Sequence, residues 1–143
     1  MSNESQDGRR IAAALARKVQ AGADAIEIAG TVTAAVTGIA ASLSPIIGRG
    51  GVMALFRRAL HLVGPTHPWL GSSDSARSEI DAEALGALLA EQGAAGAAVA
   101  GSALLQTFSD LLVSLVGASL GYRLLQPAWE TLSIDPALPD TSP

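Results

Sequence analysis

Several side chains suited to binding an anion lie in one interval that contains no acid. No Asp or Glu lies between Glu27 and Asp74. The interval holds the basic and imidazole side chains Arg49, Arg57, Arg58, His61 and His67. Gly50 and Gly51 precede a predicted helix, whose first backbone N–H groups favour negative charge. The pattern predicts either a site for a small acidic or phosphorylated ligand or the solvated face of an amphipathic helix.

Asp110 is the only charged residue in an otherwise uncharged stretch over residues 92–122. A buried carboxylate needs a cation or hydrogen-bond donors, and Arg57, Arg58 or His61 could supply them across a helical bundle. The alternative is a place on a partly solvated helix face, where a single acid is ordinary. The first interpretation predicts a ligand pocket between the helix over 52–63 and the helix that carries Asp110.

The two histidines do not by themselves indicate a metal or haem site. His61 and His67 lack a nearby carboxylate, and two ligands are too few for a typical metal centre. His67 and Trp69 lie in a Pro-rich loop, where Trp69 is expected to pack back onto the core and either side chain could contact a ligand. No catalytic, cofactor-binding or metal-binding residue is predicted.

Composition excludes several classes of protein. The chain has no cysteine, which excludes disulfides, thiolate metal sites and a cysteine nucleophile. Its net charge of −4 argues against general nucleic-acid binding, which needs a basic stripe. Hydrophobic residues make up 49% and aromatic residues only 3%, so the core must consist mainly of Ala, Leu, Val and Ile. Because the residues typical of strands are scarce, an all-α fold is expected.

The uncharged stretch IAGTVTAAVTGIAASLSPII, residues 28–47, is long enough to cross a bilayer. Its large residues recur every three or four positions on one side of a helix, which is typical of a soluble core helix. A second pattern consists of the small residues Gly30, Ala34, Gly38 and Ser42, which would let another helix approach closely. We therefore expect a buried helix and no membrane span, and its groove could be filled from the same chain or by a partner.

Periodicity and breakers predict a single-domain bundle of about five helices over residues 9–130. A flexible leader at 1–8 and a disordered tail at 131–143 are expected to flank it. The first predicted helix covers 9–20, and the second is a run that Asp24 caps and Pro45 ends or kinks. A turn at residues 48–51 is expected to lead into a third helix over 52–63, and a capping pair at Ser78 and Asp81 opens a fourth that extends to about Gln92. Gly93 and Gly96 either separate this helix from a long central C-terminal helix or lie inside one run. Pro127 is expected to stop this last helix near Trp129.

Two blocks, PIIGRGGVMALFRRALHL with HPWL and LLQTFSDLLVSLVGASLGYRLLQPAW, are similar to a group of small all-helical bacterial proteins of uncharacterised function. The resemblance covers roughly residues 43–129. It implies a bacterial, one-domain, cytoplasmic protein, and it carries over no site residues.

The predicted function is a non-catalytic helical protein-interaction module, plausibly in bacterial signalling or regulation, that binds another protein or a second copy of itself. One alternative is a sensor or enzyme for a small anionic ligand, with its pocket between the helices described above. A second alternative is membrane association through residues 28–47. No cofactor is expected.

Overall fold

A computed structural model describes residues 3–67 and 82–132. These ranges form five helices and no strand: α1 Asn3–Gln20, α2 Ala25–Val63, α3 Ala82–Ala90, α4 Gly93–Val116 and α5 Ala118–Thr131. The all-α prediction is therefore confirmed, and a single-domain bundle fits the arrangement. The predictions for Trp69, for the cap at Ser78 and Asp81 and for the tail after Leu132 lie outside the described residues.

The centre of the bundle is the pairing of α2 with α4, and the other helices pack around this pair. Gly101 of α4 lies so close to Val32 of α2 that a Cβ at position 101 would clash with the valine methyl groups. Farther along the pair, the rings of Phe56 and Phe108 lie with their centroids 6.2 Å apart at a tilt of 51°. α1 packs mainly on α4, whereas α3 and α5 pack mainly on α2.

The longest helix is α2, and it bends at Gly48. The sequence predicts that Pro45 ends or kinks this helix, but the helix passes through the exposed Pro45 and its backbone leaves the helical region only at Gly48 (φ 77°, ψ 165°). Glycine populates that region without the steric penalty of a Cβ. The helices predicted before Pro45 and over 52–63 are therefore two segments of α2, residues 25–47 and 49–63.

The prediction of one long C-terminal helix is wrong, because Gly117 divides this part of the chain into α4 and α5. Gly117 adopts φ 91° and ψ 163°, although its N–H still donates to the Val113 carbonyl at 2.8 Å. After this break Gly121 lies against the Val113 side chain. Leu115 follows Leu104, Phe108 and Leu111 at spacings of three or four, which predicts that it lies on the buried side of one continuous helix, but it is 57% exposed. The spacing continues across the break, so periodicity alone does not reveal it.

The helix ends also differ from the predicted positions. α1 begins at Asn3, before the predicted start at Arg9, and so includes most of the predicted leader. Gly22 turns the chain with a φ of 102°, and Asp24 then caps α2 as predicted. At the other end α5 continues through position 127 to Thr131, and Leu132 after it is buried.

Candidate functional site

The first segment of α2 has two faces with opposite environments. Its inner face is fully buried against the rest of the bundle and includes Val32, Val36, Ile39 and Leu43. Its outer face carries a line of exposed uncharged residues, which we call the outer stripe: Ile26, Gly30, Ala34, Thr37, Ala41 and Pro45. These positions are spaced by three or four residues, so they follow one side of the helix for about 30 Å. Ile26 alone is 74% exposed.

The outer stripe has open space where the sequence predicts a groove for close helix packing. Apart from the adjacent backbone of its own helix, no described atom lies within 4 Å of a Cβ placed at Gly30. Gly30 and Ala34 are exposed, whereas Gly38 and Ser42 are half-buried. The close contact between α2 and the rest of the chain is made elsewhere, at Val32. The small-residue pattern therefore leaves part of its surface uncovered by the residues that the structure describes.

The threonine hydroxyl groups on and beside the outer stripe donate hydrogen bonds to carbonyl oxygens of their own helix. The Thr37 hydroxyl donates to the carbonyl oxygens of Thr33 and Ala34 at 3.0 and 3.1 Å. The Thr33 hydroxyl donates to Gly30 at 3.1 Å, and that of Thr31 to Glu27 at 3.0 Å. Such bonds to the preceding turn leave the hydroxyl donors occupied. A partner that covered the stripe would therefore not bury a threonine hydroxyl group without a hydrogen-bond acceptor.

The second segment of α2 presents a basic surface. Its exposed residues Ala54, Arg57, Arg58, His61 and Leu62 form what we call the cationic face. Their spacing of i, i+3, i+4, i+7 and i+8 puts them on one side of the helix. The opposite side, which includes Phe56, Ala59 and Val63, is buried. The structure thus places the basic side chains of this segment on a solvated face, which is one of the two alternatives that the sequence leaves open.

Two of the predicted pocket residues, Arg58 and His61, do not face the interface between α2 and α4. Phe56 and Phe108 occupy that interface, while Arg58 and His61 are exposed on the other side of α2. Asp110 is half-buried on α4. The small-ligand alternative at this position stays a prediction.

The remaining predicted contact residues lie near the two ends of the second segment. Arg49 is exposed beside the bend at Gly48. His67 is half-buried just beyond the end of α2, and its backbone N–H donates to the Val63 carbonyl at 2.8 Å. Trp69 lies outside the described residues. Within residues 3–67 and 82–132, no group of three or more His, Cys, Asp or Glu side chains could hold a metal ion.

A cleft that the sequence does not reveal lies at the turn between α1 and α2. It has a volume of about 350 Å³ and is lined by Lys18, Ala21, Gly22, Ala23, Glu27 and Thr31. The adjacent N-terminus of α2 already has its own carboxylates. Asp24 accepts the Glu27 N–H at 2.9 Å, and Glu27 accepts the Asp24 N–H at 3.3 Å. This end of the helix is therefore filled by a capping box and offers no free anion site.

Within the described part of the chain, two helices are long and apolar enough to cross a membrane. They are α2 and α4. In the most apolar 18-residue stretch of each helix, 39% is buried within the bundle for α2 and 44% for α4. The core helices of soluble proteins can have the same length and hydropathy, because they carry a comparable content of apolar residues.

Comparison of the chain with protein-family models, with curated proteins and with solved structures gave no match. The resemblance of its two sequence blocks to small bacterial helical proteins stays a prediction.

Proposed function

We propose that this chain is a helical interaction module that binds a helix of another polypeptide along the outer stripe of α2. The observation that carries the proposal is that the stripe is exposed and that no charged residue lies between Glu27, near its start, and Arg49, beyond its end. Helices use such surfaces to pack closely, because small side chains allow the two backbones to approach. The partner is another protein or a second copy of this chain.

The exposed isoleucine and the occupied hydroxyl groups support the same proposal. Ile26, at the start of the stripe, offers a large apolar side chain that a partner could bury. Thr37, at its middle, adds a methyl group while its hydroxyl bonds to its own helix. Covering these groups removes apolar surface from water and costs few hydrogen bonds.

The test is a charge placed in the middle of the stripe. Ala34→Glu puts a carboxylate at an exposed position, so the fold is expected to persist while a helix partner is repelled by the cost of burying the charge. Ala16→Glu, at an exposed position of α1, is the matched control. A photoreactive residue in place of Thr37 should crosslink to a polypeptide in the native cell, and Ala34→Glu should abolish that crosslink.

Sedimentation velocity on the purified protein separates the two kinds of partner. A dimer that Ala34→Glu dissociates and Ala16→Glu leaves intact would identify a second copy as the partner. A monomer with a crosslink to a different chain would identify another protein. A monomer with no crosslink at Thr37, or with a crosslink that Ala34→Glu leaves unchanged, would refute the proposal.

Membrane insertion is a second candidate, favoured by the length and hydropathy of α2 and α4. Cell fractionation distinguishes it from the interaction module. A protein inserted through these helices would stay with the membrane after an alkaline carbonate wash and require detergent for release. Recovery in the soluble fraction without detergent would exclude insertion, because an integral helix is not released by aqueous buffer.

A further inference from the structure

We infer that the cationic face of α2 docks the protein on the surface of an anionic lipid membrane. Arg57, Arg58 and His61 share this exposed face, and Arg49 is exposed at the start of the same segment. The proposal is independent of the outer stripe, because it concerns the second segment of α2 and a different partner.

Charge complementarity is the first argument. Over the described residues 28–67 the chain has no acid, so the helix that carries the basic groups contributes no opposing charge of its own. These residues carry three arginines, a local charge of +3, whereas the whole chain has a net charge of −4, so the remaining residues together carry −7. A molecule with this asymmetry is oriented by an anionic surface, with the basic helix toward it.

The mixture of charge and apolar surface indicates a membrane in preference to an acidic peptide. Leu62, on the same face as Arg58, is 45% exposed. Guanidinium groups bind lipid phosphates, while a leucine beside them can enter the boundary between headgroups and acyl chains. The segment 49–63 is about 22 Å long, so it can lie flat along the interface. The buried opposite side keeps it anchored to the bundle.

Vesicle co-sedimentation of the full chain tests the proposal. We expect binding to vesicles of phosphatidylcholine with about 30 mol% phosphatidylserine and little binding to phosphatidylcholine alone, since only the mixed surface is negative. Added salt should release the protein, because screening weakens the attraction. Release by salt also distinguishes this docking from membrane insertion.

Arg58→Gln should weaken the partition coefficient about fivefold, which corresponds to about 1 kcal/mol for one basic side chain at an anionic surface. Arg10→Gln, at an exposed position of α1, is the matched control and should change binding less than about twofold. Leu62→Ser should also weaken binding, whereas Val99→Ser, at an exposed position of α4, should not. Ala34→Glu, which tests the outer stripe, should leave vesicle binding unchanged.

Three results would overturn the proposal. One is equal binding to the two kinds of vesicle, and another is an equal loss for Arg58→Gln and Arg10→Gln. The third is tight binding of a polyglutamate peptide that Arg58→Gln weakens and Leu62→Ser does not, together with no binding to vesicles. That result would assign the face to an acidic protein.

Discussion

Ile26 and Ile39 belong to the same helix, yet Ile26 is 74% exposed and Ile39 is fully buried. The difference follows from the side of α2 on which each residue lies. The inner side meets α4 and the other helices, and the outer side meets only solvent among the described residues. From Ile28 to Ile47 neither side carries a charge, and both are largely apolar. Apolar composition therefore does not distinguish a face that holds the bundle together from a face available to a partner.

Isoleucine truncation on the two sides should give the largest contrast in stability. Ile39→Ala removes buried methyl groups and leaves a cavity, which should lower the free energy of unfolding by about 2–5 kcal/mol. Ile26→Ala removes exposed surface and should change it by less than about 0.5 kcal/mol. Urea unfolding monitored by circular dichroism measures both. A comparable loss for Ile26→Ala would show that the outer stripe is covered in the folded protein.

Replacing a glycine by alanine should change the free energy of unfolding in opposite directions at a buried helix contact and at the exposed outer stripe. Gly101→Ala should destabilise the protein by about 1–3 kcal/mol, because the new Cβ overlaps Val32. Gly30→Ala should stabilise it by up to about 1 kcal/mol, because the site is open and alanine favours helix. The cavity that Val32→Ala creates should accommodate the added methyl group, so the double variant Val32→Ala with Gly101→Ala should be more stable than the sum of the two single effects predicts. If the stability losses of the two single variants simply add in the double variant, the close contact between Gly101 and Val32 is contradicted.

The bend separates the outer stripe from the cationic face, and its glycine can be tested in the same way. Gly48→Ala should cost about 1–2 kcal/mol, because φ is 77° and the space around the residue is open, so only the backbone resists a Cβ. Gly50→Ala, two residues later in helical conformation, should be neutral or stabilising. Thermal unfolding of both variants measures the difference. Equal effects would mean that the helix is straight at Gly48.

The smallest expected difference in stability is between two substitutions of Asp24, the residue that caps the start of α2. Asp24→Ala removes the side chain that accepts the Glu27 N–H and should cost about 1 kcal/mol. Asp24→Asn keeps an acceptor and should cost less. If both variants are as stable as the parent protein in urea unfolding, the capping box does not stabilise the helix.

Residue patterns are sufficient to predict the helical class and several local features. The abundance of alanine and leucine, the low aromatic content and the lack of β-branched enrichment predict an all-α fold, which the structure confirms. The spacing of Ile28, Val32 and Ile39 predicts the buried side of α2, and all three residues are fully buried. Asp24, just after the interruption at Gly22, predicts the cap of α2, and the structure confirms it and adds Glu27 as the second member of a capping box. These features depend on neighbours within about one or two turns, which the sequence displays directly.

The candidate surfaces are harder to predict, because exposure depends on which helices meet. The spacing of Gly30, Ala34 and Gly38 is equally compatible with an internal contact and with an outer surface. Arg57 and Arg58 are equally compatible with a pocket and with a solvated helix. At positions 45 and 48 the sequence offers two breakers, and the proline is the stronger by rule. The exposed Pro45 is nevertheless tolerated, and the chain bends at Gly48.

The sequence by itself determined the helical class, the inner side of α2, the cap at Asp24 and the segregation of basic residues from acids. Each follows from local propensity, periodicity or charge order. The tertiary structure decided that the break near Pro45 is confined to Gly48 and that Gly117 divides the last predicted helix. It also decided that Gly101 packs against Val32, whereas Gly30 has no neighbour from another described helix. The reason is physical, because a glycine permits an open surface, a close contact or a left-handed turn equally well, and only the packing of distant segments selects among them.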